Sequence, residues 1–575
     1  MAIDLPPVIP PAQLNQAETQ AILASSPAAI SAKTGETTLR VYGNSHLTDS
    51  AVTEIITSAK NPSEAVLNLT RRYYEEGHLL VTVNYYRSLD AILVFVDQKV
   101  LAEVKGDERA VAHFKHLEGD ADLTIPEYDT PRVLADLQAQ RGGYDYSISY
   151  EELGDGKVAM VFTSEKVEDY DATDFILETN NKGSRFLGRY FGMAGIKHRT
   201  EDGTQISAAV QTAFADLGES RDGDELNQLS VSIDRPFAFG LYGVDASYTE
   251  YTRDPQVTTT SASGGLGGAV CTLTDTLGLG VIGNTLVGCD PTSSSTRVNL
   301  DAEILQVALR GEQVLYSTPW TRILLNEKVS HIDSSIEQSG VNGKILDEVY
   351  QTLEVGGKYI KTTYNTPDSS ASQLTLGLSL KTGMGDGGTL DDYPSFAQAY
   401  FAAYPTATDA PDVVPQARTA EFVALIPTAN YQLRLGENGA LKINAKAQYS
   451  DEQVPQQQQF VLGGMNTLSA YLPGVLIGDS GYFGYAAYER TYQMGDFKLV
   501  PSLFAEYGAA WFENASSPEG DEQSVADAGL GLQLNYRDQL YSEVVVARPL
   551  TDDVQDEDYL ESLEADFYWR VRLTF

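Results

Sequence analysis

The residue types that most often carry chemistry are sparse in this chain and poorly spaced for it. Six histidines, His46, His78, His113, His116, His198 and His331, are scattered over its length. His113 and His116 are three apart, a spacing that can bring two imidazoles together on a helix. With no further Cys or His ligand near them in the chain, they read as a solvated helix face rather than a metal site. There is no Gly-rich loop ending in Lys-Ser/Thr, no His-Glu-x-x-His and no Gly-x-Ser-x-Gly elbow. The chain is therefore read as not an enzyme, with no cofactor and no metal. The only cysteines, Cys271 and Cys289, lie in a Gly/Thr/Ser-rich stretch. They read as a disulfide clipping an exposed loop, which implies an oxidising compartment, with two free thiols as the alternative.

Composition points to a different kind of work. Acidic residues outnumber basic ones 80 to 40, for a formal charge of −40. Phosphate contacts need a basic surface, so nucleic acid is not an expected partner. No run approaches the roughly 18 apolar residues of a membrane helix. A membrane β-barrel is not excluded by this, because half of each barrel strand faces water. The 33 tyrosines and 49 glycines suit interfacial girdles and tight turns. The start, Met1-Ala-Ile-Asp-Leu-Pro-Pro, has no basic or apolar leader. A mature chain with its secretory signal removed is preferred over a cytosolic protein.

Three zones position what chemistry there is. Residues 1–34 are Pro- and Ala-rich, with one helical stretch from about Pro11 to Ser25. Residues 35–99 and 100–168 read as two small α/β units of similar order. The first has strands at Thr38–Tyr42, Leu79–Tyr86 and Ala91–Val96, a helix over Asp49–Ala59, and a helix N-capped at Ser63 that stops at Gly77. The second has strands near Leu101–Val104, Tyr144–Tyr150 and Val158–Thr163. Its helix is capped by Thr130-Pro131 and ended by Gly142-Gly143.

From Asp171 the helical period vanishes and two-residue alternation runs to the end. The segments are Asp174–Asn180, Arg185–Lys197, Thr204–Phe214, Gln228–Phe237, Tyr242–Tyr251, Val298–Leu309, Thr321–Ser330 and Glu348–Lys361. Gln373–Thr382, Glu421–Leu435, Ala440–Tyr449, Tyr482–Tyr492, Phe497–Phe512, Ala526–Tyr536, Tyr541–Arg548 and Leu563–Phe575 complete an even set of about sixteen. The long intervals 252–296, 383–418, 450–481, 513–523 and 549–562 all follow odd-numbered strands and so share one side of a membrane. Gly436–Gly439, Gln493–Asp496 and Arg537–Gln539 are short and lie on the other. In the last segment Phe567, Trp569, Val571, Leu573 and Phe575 face one way, and Tyr568, Arg570, Arg572 and Thr574 the other, as lipid outside and water inside require.

Several stretches together resemble one family. Tyr73-Tyr74-Glu75-Glu76-Gly77-His78-Leu79 is similar to the helix-end signature of a POTRA module. Asn180-Asn181-Lys182-Gly183-Ser184-Arg185-Phe186-Leu187-Gly188-Arg189-Tyr190 resembles an opening barrel hairpin, and Asp234-Arg235-Pro236 a strand-end motif. Gln459-Phe460-Val461-Leu462-Gly463-Gly464 and Gly478-Asp479-Ser480-Gly481-Tyr482 bracket a loop between the eleventh and twelfth strands. The chain thereby resembles the two-partner secretion transporters of the haemolysin-activator type, within the superfamily whose barrels carry POTRA domains.

The resemblance implies a mainly β fold. A C-terminal 16-stranded antiparallel transmembrane β-barrel (169–575) follows two small α/β POTRA domains (35–99, 100–168) and an N-terminal helix/linker segment (1–34), whose helix would be a plug by analogy with relatives, with an unstructured tail or a helix docked elsewhere as the alternatives. Family members fold the bracketed loop into the lumen, where a Val-Arg-Gly-Tyr tip meets an inner-wall Asp. Here the tip reads Leu468-Ser469-Ala470-Tyr471, without the arginine, and the wall reads Phe504-Ala505-Glu506-Tyr507-Gly508. Alternation turns Phe504, Glu506 and Gly508 inward. The loop is expected to enter the lumen held by other contacts, or by another cation such as Arg490 on Glu506.

The implied function is nucleotide-free secretion. An unfolded partner exoprotein adds a strand to a POTRA edge and threads the barrel. Outer-membrane lipid, lipopolysaccharide and the barrel-assembly machinery, which would read the terminal Phe575, are the other expected partners of a monomer in the bacterial outer membrane, its POTRA domains in the periplasm. An assembly factor of the same superfamily and a porin or receptor are the alternatives.

Overall fold

In the computed structural model, placement is described for residues 3–25, 29–183, 189–214, 225–253, 256–260, 293–297, 300–338, 344–365, 370–385, 418–515, 520–537, 539–554 and 557–575. Sixteen antiparallel strands close into one barrel, each pairing with its sequence neighbours and the last with the first. In order they are Thr173–Asn180, Tyr190–Arg199, Gln205–Phe214, Glu225–Phe237, Gly240–Arg253, Leu300–Ser317, Thr321–Gln338, Lys344–Asn365, Ser370–Met384, Val423–Leu435, Gly439–Ser450, Ser480–Arg490 (continued by Tyr492–Met494), Phe497–Trp511, Gln523–Tyr536, Leu540–Asp553 and Tyr568–Thr574.

Alternation explains the closure. Leu229, Val231 and Ile233, then Leu376, Leu378 and Leu380, then Val544 and Val546 are exposed on the outer surface, an apolar band suited to lipid. The seam between last and first strands spans five residue pairs, from Arg570↔Asn180 to Thr574↔Ile176. Beyond them the Asn181 side chain stitches the seam, donating to Phe567 O at 2.9 Å and accepting from Trp569 N at 2.6 Å. Among the described residues no helix is long and apolar enough to cross a membrane.

Two small units precede the barrel. The first is a sheet in the order Ile30–Thr34, Thr37–Tyr42, Ile92–Gln98, Val81–Arg87, with helices Asp49–Ser58 and Pro62–Glu75 on one face. Strand Ile30–Thr34 falls in the N-terminal segment, residues 1–34, which was expected to precede the first unit. The second helix is capped by Asn61, not Ser63: Asn61 Oδ1 accepts from Glu64 N, and Pro62 fills the first turn. In the second unit Val100–Gly106, Lys157–Lys166 and Tyr144–Gly154 pair in that order. Its helix Ile125–Gly142 starts earlier than expected, because Thr124 and Glu127 form a capping box; Pro131 lies inside it. Gly143, at φ 73°, ends it. His113 is buried, not solvated. It meets Gln138 Oε1 at 2.8 Å, and burial pushes its pKa down.

The N-terminal stretch is not a plug. Helix Gln16–Ser25 stays on the first small unit, where Leu14 and Ile22 pack on Ala91, Leu93 and Phe95. Those three project from the sheet face opposite the helices, and Ile92 and Val94 fill the helix side. Ahead of the helix an extended strap ties both units. Leu14 N donates to Tyr85 O and Tyr85 N to Ala12 O, each at 2.9 Å, on the sheet edge Val81–Arg87. Ile3 is fully buried and bridges Tyr146 on an edge of the second sheet, with its carbonyl accepting from Arg132 at 2.8 Å.

The second unit docks on the barrel end that carries the short turns. Ser317 Oγ donates to buried Asp129 at 2.5 Å, and Gln138 Nε2 to Asp202 O at 3.0 Å. Asp234, 4% exposed, receives Arg141 of the second unit and Arg310 of the barrel.

Candidate functional site in the barrel lumen

Residues 451–479 leave the eleventh strand at Ser450 and fold back into the barrel. At the root, Asp479 is fully buried and accepts from Val454 N (2.9 Å) and Glu513 N (3.1 Å). Gln456 N and Gln458 Nε2 reach across the mouth to Glu348 and the Tyr350 hydroxyl, both at 3.1 Å. A short hairpin, Phe460–Leu462 with Leu476–Gly478, carries the chain inward. Gly463 turns it at φ 108°; a Cβ there would stand 2.2 Å from Leu472 O, so only glycine fits.

The tip is tight. Gly463 N donates to Thr467 O at 2.6 Å, Gly464 N to Tyr471 O at 2.8 Å, and Asn466 N to Ser469 Oγ at 3.1 Å. Leu468 holds φ 76°, a left-handed conformation that costs a non-glycine residue of order 1 kcal/mol or more. What holds it is the wall. Ser469 N–H donates to Glu506 Oε2 at 2.6 Å, and Ala470 N–H to Asp527 Oδ2 at 2.8 Å. Glu506 and Asp527 are directly paired across the thirteenth and fourteenth strands and are 2% and 0% exposed. A backbone amide donating to a buried carboxyl oxygen contributes about 0.5–1.5 kcal/mol net.

The contact thus replaces a side-chain fork with two backbone amides on two carboxylates. The Ser469 hydroxyl accepts from Asn466 N and so also closes the tip turn. Glu506 Oε1 and Asp527 Oδ1 are buried without a hydrogen-bond partner among the described residues. Arg490 does not supply the missing charge. It sits at an outward position of the twelfth strand, exposed, with its guanidinium 5.5 Å from the Tyr492 ring centroid, whereas Glu506 pairs with Tyr485 on the inward register.

Apolar packing surrounds the tip. Leu462, Leu468 and Tyr471, all fully buried, join Phe483, Phe504, Val525 and Val545 of the wall in one cluster. Gly508 makes the room: a Cβ there would stand 2.6 Å from Leu462 Cδ1 and 3.3 Å from Leu468 Cδ1. From the same end of the barrel as the loop, the segment before the last strand also turns inward, although it was expected to begin that strand at Leu563. After helix Glu557–Ser562, Leu563 O accepts from Leu472 N (2.7 Å) and Ala565 N donates to Ala470 O (2.8 Å). The Tyr568 hydroxyl donates to Tyr471 O at 2.6 Å.

Sequence reasoning missed Asp527 and this inward segment. Asp527 lies on an inward position, and strand alternation would have found it once the register against Glu506 was known. Cys271 and Cys289 lie outside the described residues, as do Ser184 to Gly188 of the opening hairpin. Phe575 is exposed at the seam, exchanging backbone hydrogen bonds with Phe175 at 2.9 and 3.1 Å.

No family model and no curated protein matches the sequence. Solved structures do resemble the fold. CdiB from Escherichia coli superposes with a TM-score of 0.64 at 12% identity, covering 97% of this chain and 96% of that one. CdiB from Acinetobacter baumannii gives 0.57 at 12% identity, over 96% and 90%. At such identity the likeness is one of architecture.

Proposed function

We propose that this chain is an outer-membrane translocator of the two-partner secretion type, its small units in the periplasm and its long loops outside. One observation carries the reading. A loop from the far end of the barrel is folded into the lumen and fastened there by its own amides, while two α/β units sit at the opposite mouth. The architecture shared with the CdiB structures supports it.

An unfolded exoprotein would bind the first unit by adding a strand along Val81–Arg87. Main-chain hydrogen bonds supply affinity and alternate side chains supply selectivity. That edge now holds Ala12 to Leu14, so the strap and the partner compete for it. The partner then passes along the polar wall, where Gln228, Ser230 and Ser232 face inward, and the lumen loop yields. Folding outside supplies direction without a nucleotide.

Two measurements test this. Leu14→Pro removes the strap's donor to Tyr85 O, a bond of about 1 kcal/mol net, and should tighten binding of an unfolded exoprotein partner by roughly fivefold. Unchanged affinity would remove the edge from the account. Liposome swelling by the intact protein reads the rest: steady solute flux would identify a porin instead.

A further inference from the structure

Three side chains distant in sequence converge where the two small units meet. His46 lies between strand Thr37–Tyr42 and helix Asp49–Ser58, His78 follows helix Pro62–Glu75, and Asp122 belongs to the second unit. His78 Nδ1 is 2.9 Å and His46 Nε2 3.9 Å from the same oxygen, Asp122 Oδ1. The three ligand atoms lie within 4.8 Å of one another. The two imidazoles stack with centroids 3.7 Å apart, and their side chains are 20% and 19% exposed.

We propose that this junction binds a divalent transition-metal ion of the Zn2+ class through His46 Nε2, His78 Nδ1 and the Asp122 carboxylate. A hydrogen bond from His78 alone would account for the 2.9 Å contact. The second imidazole is held by its own hydrogen bond, His46 Nε2 to Gln98 Oε1 at 3.1 Å, and that bond leaves the nitrogen 3.9 Å from the Asp122 oxygen, so three ligand atoms from two units share one small space. Zinc takes imidazole nitrogen and carboxylate oxygen at about 2.0–2.2 Å in a tetrahedron, which spaces ligand atoms by about 3.3 Å. The observed 2.9 and 3.9 Å bracket that value, so small side-chain rotations complete the site. Gln98 Oε1, 3.1 Å from His46 Nε2, or a water would stand at the fourth position.

The frame is already stiff. Leu79 N donates to Leu123 O at 3.0 Å and Ile125 N to Gly77 O at 2.9 Å, so the backbone on both sides of His78 is fixed to the second unit. Asn44, two residues before His46, accepts from the Tyr73 hydroxyl at 2.5 Å. An ion there clamps one unit to the other and fixes the angle at which the strap-bearing edge faces the barrel. The ligands come from positions 46, 78 and 122, which is why the sequence, searched for neighbouring ligands, offers no metal site.

The test uses the full chain in detergent, stripped with a chelator and titrated with Zn2+ by calorimetry, and with Co2+ by absorption. One ion per chain and a tetrahedral Co2+ spectrum are expected. Loss of outer-shell partners alone weakens metal sites about 10–100-fold, so His46→Gln, His78→Gln and Asp122→Asn should each weaken binding at least tenfold, with His116→Gln as a neutral control. No stoichiometric binding by the parent protein overturns the proposal whatever the variants do. So does binding that survives all three substitutions in variants whose melting matches the stripped parent.

Discussion

The two sides of the barrel interior share one construction rule and end in opposite states. On the fourth strand the inward residues Gln228, Ser230 and Ser232 are polar and half-exposed; on the thirteenth, Phe504, Glu506 and Gly508 are buried. Their outward faces are alike, with Leu229, Val231 and Ile233 on one and Leu503 and Tyr507 on the other. The outward apolar face is common to both strands, so the inner face alone differs. The second small unit docks under the polar side, at Asp202, Asp234 and Ser317, and the folded loop fills the other. A barrel can thus be sealed along one wall while the wall beside its entrance stays wet.

The largest break in this contrast should come from Glu506→Ala with Asp527→Ala. Both tip amides would be stranded in a buried place, at about 1–3 kcal/mol each. We expect conductance in planar bilayers to rise sharply and residues 463–474 to become protease-sensitive; parental conductance would show that other contacts hold the loop. Gly508→Val sharpens the contrast. Its side chain overlaps Leu462 and Leu468, and overpacking costs about 1–3 kcal/mol, so partial opening is expected, whereas Ser232→Val on the wet wall should leave conductance near the parent's.

The smallest effect is on the docking side. His113 has its pKa depressed by burial against Gln138, which itself reaches Asp202 of the barrel. The unfolded state binds this proton more readily, so His113 contributes stability above its ordinary value near 6.5, lost as pH falls below it. Hydrogen-exchange protection factors across helix Ile125–Gly142 should fall between pH 7 and 5 more than those at the loop tip. His113→Gln should flatten the response.

All sixteen barrel segments were legible, because an apolar outer face leaves a two-residue period; Leu563 to Phe567 carries the same period yet precedes the last strand. The helix starts were less so: Thr130-Pro131 looks like a cap by composition, yet the Thr124–Glu127 box nucleates the helix six residues earlier. The inward aim of Glu506 follows from alternation, but Asp527 required cross-strand register, which chain order does not encode. The destination of helix Gln16–Ser25 was not legible either. Its apolar residues fit any greasy surface, and only the assembled sheet face at Leu93 and Phe95 decides which.

The strap that covers Tyr85 has a consequence for the idle protein. An uncovered sheet margin is a template for any extended polypeptide, including a second copy of itself. By docking residues 12–14 there, the chain keeps a hazardous surface quiet against bystanders, and any strand that adds to this edge must first displace two main-chain bonds.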